Sequence, residues 1–353
     1  MSSNQFLLYG ANGYTARLII PVALQQGLKP ILAGRRKEVL EPLSAKYNLP
    51  FKVIDLSDTP ALISTLKELP LVLNAAGPFH RTARLMIEAC LQTHTHYIDI
   101  TGEIPVFELA NRFNEAAIKA GIMLMPGAGF DVVPTDCLAM FLKNQLPDAV
   151  DLKLAFVALG GGLSHGTATT MAESLGEGGL VRENGMLVKK PLGHEGRWIN
   201  FGEKKMFVMA IPWGDISTAY HTTGIQNIEA FTGMKPSIYR LLKFQSLYNW
   251  LLRTAIVRNY IKKKINQRPP GPSEEARTSG KSLIWGEVRN AKGDTARAML
   301  HTADGYTLTA LSSILIAIKI LDGKFRPGYQ TPGSAYGQDL VLEIPGTSRQ
   351  VLH

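Results

Sequence analysis

Gly10 and Gly13 lie three residues apart, with Ala16 three further on, directly after the apolar run Phe6-Leu7-Leu8-Tyr9. This spacing suits the binding of a pyrophosphate. Between a strand and a helix the first glycine permits a tight turn, and the second removes the side chain that would hold the backbone off a phosphate. A small third residue lets the helix pack close to its sheet. Ala11, Asn12, Tyr14 and Thr15 fill the turn and the helix start, where unpaired N–H groups and the helix dipole favour negative charge. A second strand-like run ends in Gly34-Arg35-Arg36, with no acid until Glu38. An acid at that position suits the ribose 2′-hydroxyl of NAD and an arginine suits a 2′-phosphate, so the pattern selects NADP(H). A plain structural turn followed by two solvated arginines is written in the same letters.

Further candidates follow the later strands. Asp55 closes the third, where an acid can meet an adenine or merely form a turn. Asn74-Ala75-Ala76-Gly77-Pro78-Phe79 follows the fourth, and its small residues let backbone approach a nicotinamide ribose. Thr101-Gly102-Glu103 follows the fifth and Gly127-Ala128-Gly129-Phe130-Asp131 the sixth. Ligands of open parallel sheets lie beyond the carboxyl ends of the strands, so four small-residue ends at one edge converge on a single cofactor. In the middle of the chain, Gly160-Gly161-Gly162-Leu163-Ser164-His165-Gly166-Thr167 sets a titratable group beside flexible glycines, and Tyr220-His221 pairs a phenol with an imidazole. His165 and Tyr220 are the candidate proton donors. A local structural role accounts for either as well.

These residues need elements to position them. Strand-like runs near 6–9, 31–34, 51–55, 71–74, 96–100 and 122–126 alternate with helical patterns at 16–25, 37–47, 59–67, 82–91, 105–120 and 136–146. The rhythm predicts a Rossmann-type, doubly wound parallel sheet. From about Ala149 it breaks into strands separated by glycine turns, near 152–159, 207–211, 225–231, 282–288 and 296–301, which predicts an inserted α/β domain with a mixed or antiparallel sheet. The longest apolar run, Leu308 to Leu321, reads as a buried helix ended by Asp322-Gly323. The expected division is 1–148 for the NADP-binding domain, 149–304 for the substrate domain and 305–353 for helices returning to the first domain.

At 353 residues, 45% hydrophobic and 19% charged, the chain has an ordinary globular mix and exceeds the usual single-core limit. Two cysteines without metal spacing fit a reducing cytoplasm. No export signal and no run of transmembrane length is seen. The net charge of +9 has a local origin: between Ala230 and Ser273 there are nine basic residues and no acid, and the rest of the chain is balanced. This segment, 235–268, also carries Tyr239, Phe244, Tyr248, Trp250 and Tyr260. It can rest on an anionic membrane, meet an acidic carrier, line an acyl pocket or form a homodimer, or it is simply a solvated basic helix. One short basic segment on a neutral chain fits nucleic acid poorly.

The runs Tyr9-Gly10-Ala11-Asn12-Gly13-Tyr14-Thr15, Asn74 to Phe79, and His96-Tyr97-Ile98-Asp99-Ile100-Thr101-Gly102-Glu103 resemble the saccharopine dehydrogenase-like oxidoreductases. Gly129 to Asp136, His165-Gly166-Thr167-Ala168-Thr169 and Pro270-Gly271-Pro272-Ser273-Glu274-Glu275 are similar to the family's bacterial trans-acting enoyl reductase branch. The resemblance implies an NADPH-dependent reductase, of an enoyl or acyl substrate in that branch or of an amino-acid-derived imine in the family at large. A non-catalytic nucleotide-binding or lipid-associated protein on the same fold is the third expectation, since fold does not imply function.

Overall fold

The computed structural model describes residues 4–352 apart from 161, 174, 175 and 203, so Gly161 of the glycine loop lies outside them. The chain divides into two compact units, Met1–Phe130 with Tyr306–Ala335, and Asp131–Gly305 with Tyr336–His353.

The first unit opens with β1 (Leu7–Tyr9), α1 (Tyr14–Gln25), β2 (Ile31–Gly34), α2 (Lys37–Tyr47), β3 (Phe51–Val53) and α3 (Thr59–Leu66). It continues with β4 (Leu71–Asn74), α4 (Phe79–Thr93), β5 (His96–Asp99), α5 (Ile104–Arg112), α6 (Asn114–Ala120) and β6 (Met123–Met125). All strands are parallel, in the order β6-β5-β4-β1-β2-β3, with a short strand Gly328–Tyr329 added beside β6. The order reverses between β1 and β4, the point at which sheets of this kind take their ligands. β1 and β4 are buried along their whole length, which is why they read as unbroken apolar runs. Helix 105–120 of the sequence reading is in fact two, broken at Phe113. The break places Asn114 where its Oδ1 accepts the Tyr329 N–H at 3.0 Å.

The second unit contains α7 (Val133–Gln145), β7 (Ala149–Leu159), α8 (His165–Glu173), β8 (Gly179–Glu183), β9 (Met186–Lys190), β10 (Gly196–Asn200) and β11 (Lys205–Ile211). There follow α9 (Asp215–Thr223), β12 (Asn227–Gly233), α10 (Pro236–Lys243), α11 (Asn249–Leu252), α12 (Ala255–Asn266), α13 (Glu274–Ser279), β13 (Lys281–Asn290) and β14 (Thr295–Ala303). The sheet runs β10-β11-β12-β7-β13-β14 and ends on the C-terminal strand Ser348–Leu352. It is mixed: β12 and β7 are parallel, and the other pairs along this path are antiparallel. β8, β9 and β10 escaped the sequence reading. The β8–β9 hairpin does carry a signal, Asn184-Gly185 with both residues at positive φ, the dipeptide that tight hairpins favour.

The units part at residue 130, not at 148. Helix α7 is buried over most of its surface, and Leu138 and Leu142 lie where a Cβ on Gly286 of β13 would fall, so the helix is built into the second sheet. The chain end also divides. Helix Gly305–Leu321 and the strand after it serve the first unit, whereas 336–353 adds a strand to β14 and lays Arg349 over the Phe141 ring at 3.9 Å.

One face of the second sheet is closed by Val157, Phe201, Val208, Phe231, Leu283, Trp285 and Met299. All four tryptophans, 198, 213, 250 and 285, belong to this unit, so their emission reports its unfolding. Phe231→Ala should cost about 3 to 5 kcal/mol, the usual cost of emptying such a site. A denaturant midpoint followed by tryptophan emission and unchanged by the substitution would show that the face is loosely packed.

Candidate functional site

The carboxyl ends of the first sheet converge on the turn after β1. Gly10 has φ +81°, and a Cβ there would stand 2.8 to 2.9 Å from the backbone of Ala75 and Ala76, so only glycine fits. Gly10 and Ala11 donate to the Ala33 carbonyl at 2.8 and 3.1 Å and Ala75 donates to Tyr9 at 2.8 Å, locking β1, β2 and β4. Gly13 precedes α1 in extended conformation. No side chain caps that helix and no acid occupies its first turn, so its N-terminal field is left for an anion. Ala16 is buried against the sheet, and Tyr14 meets Tyr306 edge to face at 5.1 Å. Asn12 lies on Gly34 at the end of β2, with its Oδ1 3.6 Å from where a Cβ would stand.

Arg35 and Arg36 follow β2, both exposed. Arg36 stands 4.0 Å from Glu38, an exposed pair of little strength. Arg35 shares its corner with Asp55 and Tyr9. The Asp55 carboxylate accepts the Ser57 N–H at 2.9 Å and hydroxyl at 2.7 Å, and these bonds, aided by Arg35, hold it below the usual range. Burial, followed by the Asp55 charge, pushes the Tyr9 phenol up to about 12. Asp55 is thus fastened into its own turn.

The other half of the rim depends on a residue to which the sequence reading gives no role. Asp99, at the end of β5, is fully buried. Its carboxylate accepts from the Tyr97 hydroxyl at 2.6 Å and from the N–H groups of Thr101 and Gly127, each at 2.9 Å. The Asn74 amide donates to Thr82 at 3.1 Å and to Tyr97 at 3.4 Å, while its carbonyl accepts the Ala76 N–H at 3.1 Å. Glu103, beyond Gly102, accepts from the N–H groups of Phe79 and His80 at 2.8 and 2.9 Å and from His80 Nδ1 at 2.7 Å, capping α4 after Gly77-Pro78. Loop 127–130 is clamped to helix Gly305–Leu321: Thr309 accepts the Phe130 N–H at 2.9 Å, Ser312 donates to Ala128 at 2.8 Å, and a Cβ on Gly129 would stand 2.8 Å from Thr309.

Asp131 falls in the second unit, where its carbonyl accepts from the Trp213 indole at 3.1 Å. There Thr135 donates to Asp215, and Thr222 donates to Asp136 at 2.6 Å. Burial pushes the Asp131 carboxyl up to about 7 and drives that of Asp215, one oxygen of which has no partner, well above the carboxylate range.

His165 and Tyr220 stand on separate helices with separate partners. His165 begins α8; its N–H donates to Pro270 at 2.9 Å, and its Nε2 lies 2.7 Å from the Arg268 carbonyl, fixing the helix to the chain beyond α12. Tyr220, on α9, has its ring under the Arg182 guanidinium at 4.1 Å. Arg182 in turn donates to Ile216 at 2.7 Å and Gly185 at 2.6 Å.

A β-turn-α phosphate cradle at the reversal point of a parallel sheet, with two arginines at the end of β2, defines a dinucleotide-binding domain. Residues 6–125 match the family model of the Saccharopine dehydrogenase NADP binding domain. Residues 6–125 of the first unit are therefore an NADP-binding domain. A saccharopine dehydrogenase-like oxidoreductase of Rattus norvegicus is 27% identical over 204 residues, 51% of this chain and 48% of the relative. A trans-acting enoyl reductase of Mycobacterium leprae is 31% identical over 138 residues, 37% of this chain and 33% of the relative. The chain spans about half the length or less of these relatives. Saccharopine dehydrogenase (L-Glu forming) of Saccharomyces cerevisiae shares the fold across 99% of this chain, with a TM-score of 0.69 at 13% identity.

Two predictions follow from this geometry. If Arg35 and Arg36 hold the 2′-phosphate, each contributes a charge-assisted bond of about 1.5 to 3 kcal/mol, or about 10- to 100-fold. The double alanine variant should lose both contributions, about 100- to 10,000-fold in NADPH affinity, while keeping its NADH affinity, and an equal calorimetric loss for both coenzymes would refute the assignment. The second concerns pH. Burial raises the Asp99 carboxyl from 3.8 to about 7, so the folded chain holds this proton more tightly than the unfolded one. Stability is full below 3.8, falls as pH rises, and stops falling above about 7. Asp99→Asn, neutral throughout, should flatten that part of a melting-temperature profile; an unchanged slope would show that Asp99 stays ionised.

Proposed function

We propose that the protein is an NADPH-dependent oxidoreductase that reduces an enoyl or acyl substrate of the lipid or polyketide kind. The observation carrying the reading is the NADP-binding domain, whose turn at Gly10–Gly13 and arginines at the end of β2 are of the types that suit a pyrophosphate and a 2′-phosphate. When bound, NADPH supplies a hydride. The chain's own part is to hold it: Gly10 and Gly13 give the approach, Asp99 and Glu103 fix the rim, and Thr309 and Ser312 keep loop 127–130 in place.

The substrate class rests on similarity to the mycobacterial enzymes named as trans-acting enoyl reductases. The test is NADPH oxidation with enoyl thioesters of increasing chain length, set against imines formed from an amino acid and a 2-oxo acid. Turnover of the thioesters is expected. Turnover of imines alone would make the chain a saccharopine dehydrogenase-type reductase, and coenzyme binding without any turnover would make it a non-catalytic nucleotide-binding protein.

A further inference from the structure

Eight of the seventeen exposed large hydrophobic side chains among the described residues fall between Ile238 and Tyr260. Ile238 and Leu241 lie on α10, Phe244 and Leu247 in the turn that follows it, Trp250 and Leu251 on α11, and Ile256 and Tyr260 on α12. Ile256 is 83% exposed, Leu247 74% and Trp250 71%, so these side chains stand out from the surface. The other side of the segment is fastened to the second unit. Tyr239 meets the Phe207 ring at 5.1 Å, Ile265 is buried, Lys262 pairs with Glu173 at 2.6 Å, and Arg258 pairs with Glu177 at 2.8 Å. Arg240, Lys243, Lys263 and Lys264 remain exposed among the apolar residues.

We propose that this outer face of α10 to α12 docks on an anionic lipid bilayer. Protruding aliphatic residues enter the acyl boundary, Trp250 and Tyr260 suit the headgroup level, and the cations meet anionic headgroups. The charge pattern separates this from the other occupants. A second copy seated about a two-fold axis would set cation against cation, because no acid lies between Ala230 and Ser273 to answer them. An acidic protein would need a concave, apolar surface to receive side chains that protrude so far, whereas a bilayer needs no complementary shape. The docking stands apart from the reaction proposed above, since no step of it depends on the substrate.

Flotation of the full chain with phosphatidylcholine vesicles, with and without phosphatidylglycerol, tests it. Partition should require the anionic lipid and weaken as salt is raised. Replacing Lys243, Lys263 and Lys264 by Gln, with the paired Lys262 left alone, should weaken partition about fivefold per cation. Leu247→Ser with Ile256→Ser should weaken it more than tenfold. NADPH affinity and the tryptophan-detected denaturation midpoint, unchanged in both variants, show that they fold. Equal partition into neutral and anionic vesicles, or variants that float like the parent, would overturn the proposal. So would a dimer lost in the variants without any vesicle binding, or retention on an acidic carrier protein in place of vesicles.

Discussion

A single buried carboxylate holds half of the nucleotide edge together. Asp99 takes three hydrogen bonds from three places, its own strand through Tyr97, the following turn through Thr101, and the next strand's loop through Gly127. Tyr97 carries the connection on to Asn74, which shapes the turn around Ala76. With the group buried in a low-dielectric surround, each of these bonds is stronger than in water, and losing any one leaves a polar partner unsatisfied. The ends of β4, β5 and β6 are thus set by one network rather than by three independent turns.

The other half is fixed by the absence of atoms. Gly10 lets the β1 turn lie on the backbone of Ala75 and Ala76, and Gly129 lets its loop lie on Thr309. Close approach and the buried network are complementary means to one end. Small residues bring the loops near one another, and directional bonds then leave each a single position. A phosphate-binding edge needs both, because donors aimed at an anion are useful only if they are held in place before it arrives.

The legible parts were those whose physics is local. The glycine turn, the apolar strands of the first sheet and the arginines after β2 are each written within a few residues, and their types set the conformation directly. Asp99 was not legible, because an aspartate ending a strand reads as a turn former. Its partner Gly127 lies 28 residues on. Thr309 lies 179 residues from Phe130, beyond the reach of any pattern. His165 and Tyr220 illustrate the converse: side chains apt for proton transfer by type are drawn by the fold into contacts with Arg268 and Arg182. The Asn184-Gly185 hairpin was legible in principle, but its flanking strands are short and only half apolar, which hid them.

Chain order and structural unit also part company here, with consequences for how the nucleotide edge is built. Residues 1–130 contain every strand of the first sheet except the shortest, yet they do not complete it. The carbonyl of Ala128 and the N–H of Phe130 find their partners on helix Gly305–Leu321, which follows residues 131–305 of the second unit. Without that helix, buried polar groups of loop 127–130 would face solvent or go unpaired, at the cost such groups carry. Residues 131–305 of the second unit are therefore spliced between the two halves of the site's support. A change that displaced helix Gly305–Leu321 would reach the nucleotide edge through Thr309 and Ser312 without altering any residue of the turn after β1.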